Sequence, residues 1–322
     1  MSRSIRNGPG RARLGRRGFI GGLAALVGGA SWLAWTSSGS ASAEVPPRPP
    51  GALRLASFNI HYHVPGHDPL DWLARREAVA RAMSDLRADL VAFQEMETAV
   101  GGHFHDRNVQ LDWVLSRMPA HAAAAVGDPR SYPWTQPILY RRDRLRPLAQ
   151  GFFFFSEQPE RIYSRTFDGG YPAFCSQVEF EDLRSGVRLV VFNVHFDHAS
   201  SENRIRSARL VAARVEPILK AGRRVVVVGD LNAWSWFDTV QVLARLPLTL
   251  APPAGSTYHF NLGLALMPAI DHVLYSRGLE QVGPTGVLNR RYDGVHPSDH
   301  HPIWVDLRVV EPQPGVTGAA PS

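Results

Sequence analysis

The sequence predicts an α/β fold in which two packed β-sheets are covered by helices. Between residues 53 and 310 it shows no internal repeat and no linker, so a single domain is expected. Apolar, β-branched runs recur through this region, while only two segments have clear helical periodicity. Many strands with few helices between them fit two packed sheets and fit a doubly wound parallel sheet poorly.

Nine runs are predicted to form strands, namely Leu53–Phe58, Leu90–Phe93, Ile138–Tyr140, Phe152–Phe155, Phe174–Phe180, Val187–Val194, Val225–Val228, Ile270–Tyr275 and Pro302–Val309. One helix is predicted from an apolar stripe made of Leu73, Val79, Ala80, Met83 and Leu86. A second has the stripe Ile205, Ala208, Val211, Ala212, Val215, Ile218 and Leu219. Gly222 follows the second stripe as a C-cap.

Residues 1–43 have the features of an export signal. Arg16 and Arg17 precede the apolar segment Phe19–Trp35, and Ala41–Ala43 is a small-residue cleavage site. The pair of arginines resembles a twin-arginine signal. The apolar segment is shorter than the roughly 20 residues of a comfortable membrane span. We therefore expect a cleaved signal and a periplasmic or secreted protein, or a membrane-anchored one if cleavage fails.

The segments on either side of the domain differ from it in composition. Residues 44–52 include four prolines between positions 45 and 50 and are predicted to form a stiff linker. Residues 311–322 are rich in Pro, Gly and Ala and are predicted to be a disordered tail. The catalytic domain is therefore expected over residues 53–310.

The excess positive charge belongs to the signal. The chain has 35 basic and 29 acidic residues, a net charge of +6. Residues 1–43 hold six arginines and no acid, which leaves 29 basic and 29 acidic residues after position 43. A protein that grips long DNA nonspecifically usually carries a basic excess. The neutral mature chain argues against a general DNase.

Cys175 is the only cysteine, so no intramolecular disulfide can form. It lies in an apolar run, where a buried structural thiol is expected.

Polar residues follow the predicted strands at the points where they end. These residues are Asn59, Gln94, Glu95, Asn193, His195, Asp230 and Asn232, and Asp299 and His300 stand just before the last strand. Any one of them alone could be explained as a turn residue, because Asn, Asp and Gly commonly make turns after strands. Carboxylate and amide oxygens together suit a hard cation. If the strand ends meet, the sequence predicts an acidic site there.

These residues carry a resemblance to a known family. Asn59, Gln94-Glu95, Asn193-x-His195, Gly229-Asp230-Leu231-Asn232, Ile270-Asp271 and Ser298-Asp299-His300 occur in the order seen in the endonuclease/exonuclease/phosphatase superfamily, which is DNase I-like. The resemblance covers about residues 53–310. It implies a four-layer α/β sandwich of two mixed sheets flanked by helices, in agreement with the strand count. It also implies metal-dependent hydrolysis of phosphoesters.

The resemblance implies a metal-binding role for three residues. Glu95 would be the principal Mg²⁺ ligand, assisted by Asn59, and Asp299 would lie near a second cation position. Mn²⁺ could replace Mg²⁺. The metal would offset charge on the phosphate and the leaving oxygen.

The remaining residues of the motifs are expected to bind and activate the reactants. His300, oriented by Asp271, would accept a proton from water or contact the phosphate. Asp230 would orient the water. The phosphate donors would be Asn232 and His195, and Asn193 would support His195.

Two departures from the family pattern concern the substrate. Many relatives have an arginine after the proline at the position of Pro172, but Ala173 stands here, so Arg165 or Arg142 would have to supply the phosphate clamp. His272 follows Asp271 where relatives often have an aromatic residue. Trp234 and Trp236 are candidates for the wall of the substrate cleft, although aromatic residues more often lie in the core.

Two other hypotheses remain open from the sequence. The alternating pairs His61/His63 and His103/His105 could bind Zn²⁺, but closed zinc sites usually gather Cys and His at tighter spacing, so loop histidines near a phosphate site are the better explanation. The chain could also be a catalytically silent protein of the same fold that binds a phosphate ligand. The favoured hypothesis is a monomeric Mg²⁺-dependent phosphodiesterase, phosphatase or nuclease, acting on a small molecule, a lipid headgroup or nucleic acid, with no protein partner evident.

Overall fold

The computed structural model describes residues 44–63, 70–96, 107–165, 167–169, 171–253 and 255–310. The expected signal, the expected tail and the pair His103/His105 therefore lie outside the described residues. Within the described ranges, no helix is both long and apolar enough to span a bilayer.

The described chain contains thirteen strands and four helices. The strands are β1 (Leu53–Asn59), β2 (Leu90–Gln94), β3 (His121–Ala124), β4 (Ile138–Arg141), β5 (Leu145–Phe154), β6 (Phe174–Asp182), β7 (Arg188–His195), β8 (Arg224–Asp230), β9 (Leu248–Ala251), β10 (Asp271–Ser276), β11 (Leu279–Gln281), β12 (Gly286–Val287) and β13 (Ile303–Val309). The helices are α1 (Trp72–Leu86), α2 (Val109–Arg117), α3 (Ser201–Lys220) and α4 (Asp238–Ala244).

The strands form two mixed sheets. The first has the order β11-β13-β1-β2-β4-β3, with β12 also paired to β13, and the second has the order β5-β6-β7-β8-β10-β9. Each sheet contains one parallel pair near its middle, β1 with β2 and β7 with β8, and the other pairs are antiparallel. The carboxyl ends of these two parallel pairs carry the polar residues singled out in the sequence.

Three hydrophobic clusters hold the layers together. Side chains of β1 point alternately to its two faces, so the first sheet contributes to two of these clusters. Leu55 faces the other sheet, and Phe58 faces the helices. The middle cluster joins the inner faces of the two sheets, with Val191 and Val226 of the second sheet in it. Helices α1 and α2 cover the first sheet, and α3 and α4 cover the second. The predicted four-layer sandwich is confirmed.

Each of the nine predicted strands and both predicted helices have a counterpart in the structure. The elements missing from the prediction are short, namely α2, α4, β3, β9, β11 and β12. β3 has the sequence His-Ala-Ala-Ala, which lacks the β-branched residues that signal a strand, and it forms because β4 offers it a paired edge. Cys175 is buried and free, as expected.

Candidate active site

The polar strand ends meet at one edge of the sandwich. Asn59 at the end of β1 is in register with Gln94 at the end of β2. His195 at the end of β7 is in register with Asp230 at the end of β8, and Asp271 opens β10 opposite Asp230. We call Asn59, Glu95, His195, Asp230, Asp271, Asp299 and His300 the acidic cluster.

Direct contacts connect the two sheets within the acidic cluster. The amide Nδ2 of Asn59 donates to Glu95 Oε1 at 3.0 Å and to Asp230 Oδ2 at 3.1 Å. His195 Nε2 lies 3.7 Å from the same two carboxylate oxygens. One amide and one imidazole thus face two carboxylates from opposite sheets. Residues separated by more than a hundred positions converge on one point.

His300 is held between two carboxylates. Its Nδ1 lies 2.9 Å from Asp271 Oδ2, so an Nδ1–H donates there, and its Nε2 lies 3.7 Å from Asp230 Oδ2. Burial by itself would lower the pKa of His300, but Asp271 and Asp230 raise it well above its usual value. The ring is therefore fixed in orientation and favours the imidazolium form.

The two central carboxylates differ in their electrostatics. Burial, reinforced by the neighbouring Asp271, raises the pKa of Asp230 to about 6. Burial would also raise the pKa of Glu95, yet His195 and His61 outweigh it and lower the pKa. Glu95 is therefore a permanent anion at neutral pH, whereas Asp230 can exchange a proton near neutrality.

His61, which the sequence suggested as a Zn²⁺ candidate or as a loop histidine near a phosphate site, lies against the acidic cluster. Its Nδ1 lies 3.6 Å from Glu95 Oε2 and 3.6 Å from Asp299 Oδ2. The backbone of His61 and of Glu95 has positive φ, 59° and 56°. Non-glycine residues in this region are uncommon, and residues held in sparsely populated conformations cluster at functional sites. Its position two residues after Asn59, at the end of β1, was the signal available in the sequence.

Small polar residues fix the backbone of the acidic cluster. Ser298 Oγ donates to the Asn59 carbonyl at 2.8 Å and accepts from the His300 N–H at 3.3 Å. Thr257 Oγ1 accepts the backbone N–H of Asp271 at 3.2 Å. At Gly229, φ is 143° and a Cβ would lie 1.9 Å from the Val194 carbonyl oxygen, so only glycine fits before Asp230.

Two asparagines, one near the end of β7 and one just after β8, have different surroundings. Asn232 lines the cavity beside the acidic cluster, and its Nδ2 donates to the Phe196 carbonyl at 2.9 Å. Asn193 is fully buried, and its amide group bonds to Phe93, Gln136 and Gln94 rather than to His195. Asn193 therefore links β7 to the first sheet.

The family assignment follows from a match that spans this whole arrangement. The sequence profile of the endonuclease/exonuclease/phosphatase family matches residues 56–300, which contain every member of the acidic cluster. The chain belongs to the endonuclease/exonuclease/phosphatase family. No curated protein matches the chain.

Solved structures of this family share the fold. A family protein from Bacteroides thetaiotaomicron has a TM-score of 0.69 at 23% identity, covering 80% of this chain and 97% of that one. A mannosyl-6-phosphatase from the VPI-5482 strain has a TM-score of 0.67 at 23% identity, covering 79% and 99%. TDP2 of D. rerio, complexed with a single-strand DNA product, has a TM-score of 0.58 at 13% identity, covering 80% and 99%. At these identities the likeness shows the fold.

The donor set of this family member fits a hard divalent cation. Carboxylate and amide oxygens dominate the acidic cluster, and these are the ligands that Mg²⁺ and Mn²⁺ prefer. Asp271 Oδ1 is buried without a hydrogen-bond partner among the described residues, and Glu95 Oε2 and Asp299 Oδ2 each lie 3.6 Å from His61 Nδ1. A cation would offset the charge of several carboxylates placed this close together.

A cavity of about 730 Å³ opens beside the acidic cluster. Its described walls are rich in aromatic side chains, and they include Trp134, Tyr163, Tyr171, Phe174, Trp234, Phe237 and Tyr258. No lysine or arginine is among the described lining residues. Arg165 is exposed and outside that lining, and Arg142 hydrogen-bonds instead to the carbonyls of Pro119 and Ala120. Ala173 lines the cavity, as the sequence departure suggested.

His272 faces away from the cavity. It is almost fully buried, and its Nε2 lies 2.8 Å from the Ala233 carbonyl, to which it donates. Burial lowers the pKa of its imidazole, which favours the neutral form. His272 therefore supports the loop that follows Asp230, and it is not among the described residues that line the cavity.

Three further histidines, His259, His296 and His301, form a second group that we call the imidazole cluster. Their donor atoms also come within 4.8 Å of one another. However, His259 Nδ1 accepts the Gly263 N–H at 3.3 Å and His296 Nε2 accepts from Arg291 at 2.8 Å. The rings of His259 and His301 are stacked at 3.9 Å. A metal-bound histidine normally donates through its other nitrogen, so this cluster is poorly arranged for a metal.

Proposed function

We propose that this chain is a monomeric Mg²⁺-dependent phosphoric ester hydrolase. The observation that carries the proposal is the continuous contact network from Glu95 through Asn59 and Asp230 to His300 and Asp271. It places permanent negative charge, a carboxylate that can exchange a proton and a charged imidazole beside one cavity. Together they could hold a cation, accept a proton from water and offset charge on a phosphate, which supports hydrolysis of a phosphoester.

Glu95, Asn59 and Asp299 are the residues that would hold the cation. Glu95 stays charged because His195 and His61 counter its burial. Bound there, Mg²⁺ or Mn²⁺ would neutralise charge on the phosphate and on the leaving oxygen.

Asp230 is the proposed acceptor of the proton from the attacking water. Its Oδ1 accepts the Asn232 N–H at 2.8 Å and its Oδ2 accepts from Asn59, so the carboxylate is held rigidly. A pKa of about 6 keeps it mostly ionised at neutral pH yet basic enough to take a proton.

The phosphate is proposed to lie against three donors. His300 donates as an imidazolium held by Asp271. His195 donates from the end of β7. Asn232 has a second amide N–H beyond the one bonded to the Phe196 carbonyl. Charged donors strengthen as negative charge builds up on the phosphate oxygens in the transition state.

The substrate is proposed to carry little charge beyond the reacting phosphate. The cavity wall has no described lysine or arginine, and residues 44–322 have balanced charge. A polyanion would need cationic partners. A small or lipid-derived phosphoester fits better than nucleic acid, and the fold likeness to a mannosyl-6-phosphatase is compatible with this preference.

The test is hydrolysis of bis-p-nitrophenyl phosphate and a panel of phosphomonoesters in Mg²⁺ and in EDTA. We expect turnover that EDTA abolishes and that Glu95→Gln lowers at least about 10²-fold. Glu216→Gln, on the exposed face of α3, is the matched control and should behave as wild type. A folded wild-type chain that binds phosphoesters but turns none over would instead support the silent binding protein.

We also propose that the enzyme is exported through its twin-arginine signal and is periplasmic or secreted after cleavage. Arg16→Lys with Arg17→Lys should retain the chain in the cytoplasm at its full length. Cell fractionation and mass spectrometry of the N-terminus measure both properties, and unchanged export of the double variant would contradict the proposal.

A further inference from the structure

Two apolar segments form the rim of the cavity. Trp234–Phe237 follows the end of β8, and Phe260–Met267 precedes β10. Trp234, Phe237 and Met267 line the cavity itself. The Leu231 N–H donates to the Ile270 carbonyl at 2.9 Å. This bond holds the chain after β8 next to the chain before β10, so the two segments lie side by side. We call these two segments the apolar rim.

The apolar rim displays its side chains to solvent. Leu262 and Leu266 are 61% and 70% exposed, and Trp236 is 59% exposed. Among the described residues eleven large hydrophobic side chains are exposed, and six of them belong to the rim: Trp236, Phe237, Phe260, Leu262, Leu264 and Leu266. Exposed apolar residues scattered singly are normal, but a concentration beside a cavity marks a binding surface.

The imidazole cluster holds the second rim segment in place. The His259 carbonyl accepts the Leu262 N–H at 2.9 Å, and its ring accepts the Gly263 N–H. Arg291, which donates to His296, also donates to the Leu262 carbonyl at 3.2 Å. Phe260 is kept at a φ of 56°, an unfavourable value for a bulky residue. The backbone is anchored, so the leucines are presented outward by fixed structure.

The composition of the rim indicates what covers it. Neither segment contains a charged residue, and the described lining of the adjoining cavity has no lysine or arginine. This surface complements neither a polyanion nor a charged protein face. It is continuous with the cavity that holds the acidic cluster, so its occupant must join an apolar portion to a phosphoester. A phospholipid has that chemistry.

We propose that the apolar rim docks on a bilayer of zwitterionic phospholipid and thereby brings the headgroup phosphodiester to the acidic cluster. The rim inserts four exposed side chains into the interfacial region, as aromatic and aliphatic side chains of peripheral proteins do, namely Trp236, Leu262, Leu264 and Leu266. The use of the docked lipid as substrate rests on the proposed hydrolase function, whereas docking itself does not.

The test is flotation with phosphatidylcholine vesicles. It uses residues 44–322, whose described part has its own hydrophobic clusters, so that the N-terminal apolar segment cannot contribute to binding. Leu262→Ser with Leu266→Ser should lower the partition coefficient at least about tenfold, because two exposed leucines lose their burial in lipid. Leu183→Ser is the control, since Leu183 is 46% exposed and lies between β6 and β7 at the opposite end of the strands.

Hydrolysis of bis-p-nitrophenyl phosphate in solution is measured on the same samples. The double leucine variant and Leu183→Ser should both keep the wild-type rate within about twofold, because none of the three leucines touches the acidic cluster. Absence of this activity in the wild type would refute phosphodiester hydrolysis, and therefore the use of the docked lipid as substrate, while leaving the flotation result to decide docking.

A second readout uses brominated phosphatidylcholine, which quenches tryptophans that enter the bilayer. Trp236→Phe should remove a large part of the quenching while flotation persists. Failure of the wild type to float, or equal flotation of wild type and the double leucine variant, would overturn the docking proposal. A protein partner or a soluble substrate would then be the occupant of the rim.

Discussion

His300 and His301 are consecutive and both buried, yet they belong to clusters of opposite character. Asp271 and Asp230 raise the pKa of His300 well above its usual value despite its burial. Burial and the neighbouring His296 lower the pKa of His301 to about 3. The same residue type therefore becomes a cation on one side of the chain and a neutral ring on the other. The partners decide the outcome, and burial alone does not.

The two clusters also differ in what their side chains contact. The acidic cluster directs its donors and acceptors toward a cavity, where a substrate can reach them. The imidazole cluster uses its ring nitrogens to accept from Gly263 and Arg291 and so holds a loop. Substitutions in the first cluster should change the rate, and substitutions in the second should change stability.

The largest expected effect is at Asp230. Asp230→Asn removes the proposed proton acceptor but keeps a side chain of the same shape beside Asn59 and Asn232. We expect the rate of phosphodiester hydrolysis to fall about 10³-fold, within the range for loss of a positioned base. Steady-state kinetics should show the loss in kcat with KM little changed. A loss below tenfold would assign the base to another residue.

A smaller effect is expected at Asp271, which acts through His300. Asp271→Asn removes the charge that raises the pKa of His300, so the imidazolium form would be lost at lower pH than in the wild type. The rate should fall about tenfold near pH 6 and further as pH rises. A pH–rate profile of the variant measures this dependence. A pH-independent loss equal to that of His300→Ala would indicate a purely structural role.

Much of the acidic cluster could be predicted from sequence because its members follow strands directly. Asn59, Glu95, His195 and Asp230 come at the ends of apolar runs, and parallel neighbours bring such ends together. Two packed sheets covered by helices were predicted from the same runs, and the four-layer arrangement was implied by the family resemblance. Their roles in catalysis stay predictions.

The contacts of His61, the imidazole cluster and the apolar rim were not predictable in this way. They depend on the path of loops. His259 and His301 are 42 positions apart in sequence, and no periodic pattern indicates that their rings stack. The apolar rim segment Phe260–Met267 has the composition of a core strand, and only the structure shows that its leucines are exposed.

The imidazole cluster predicts a pH dependence of stability. Burial and the neighbouring imidazoles lower the pKa of His259 to about 2, far below the value of about 6.5 expected in the unfolded chain. The unfolded state therefore binds more protons, and this stability is complete above about pH 6.5 and is lost as pH falls toward the folded value. His259→Asn keeps an acceptor for Gly263 and should flatten the dependence. Urea unfolding at pH 7 and pH 5 measures it, and equal pH dependence in both proteins would contradict the assignment.

The most direct test of the proposed cation site at Glu95 is Mn²⁺ binding followed by electron paramagnetic resonance. Wild type, Glu95→Gln and His259→Asn would be titrated side by side. We predict that Glu95→Gln weakens Mn²⁺ binding at least about tenfold, because a carboxylate ligand is lost, while His259→Asn binds as wild type does. Unchanged binding in Glu95→Gln together with lost binding in His259→Asn would place the metal in the imidazole cluster and contradict a cation site in the acidic cluster.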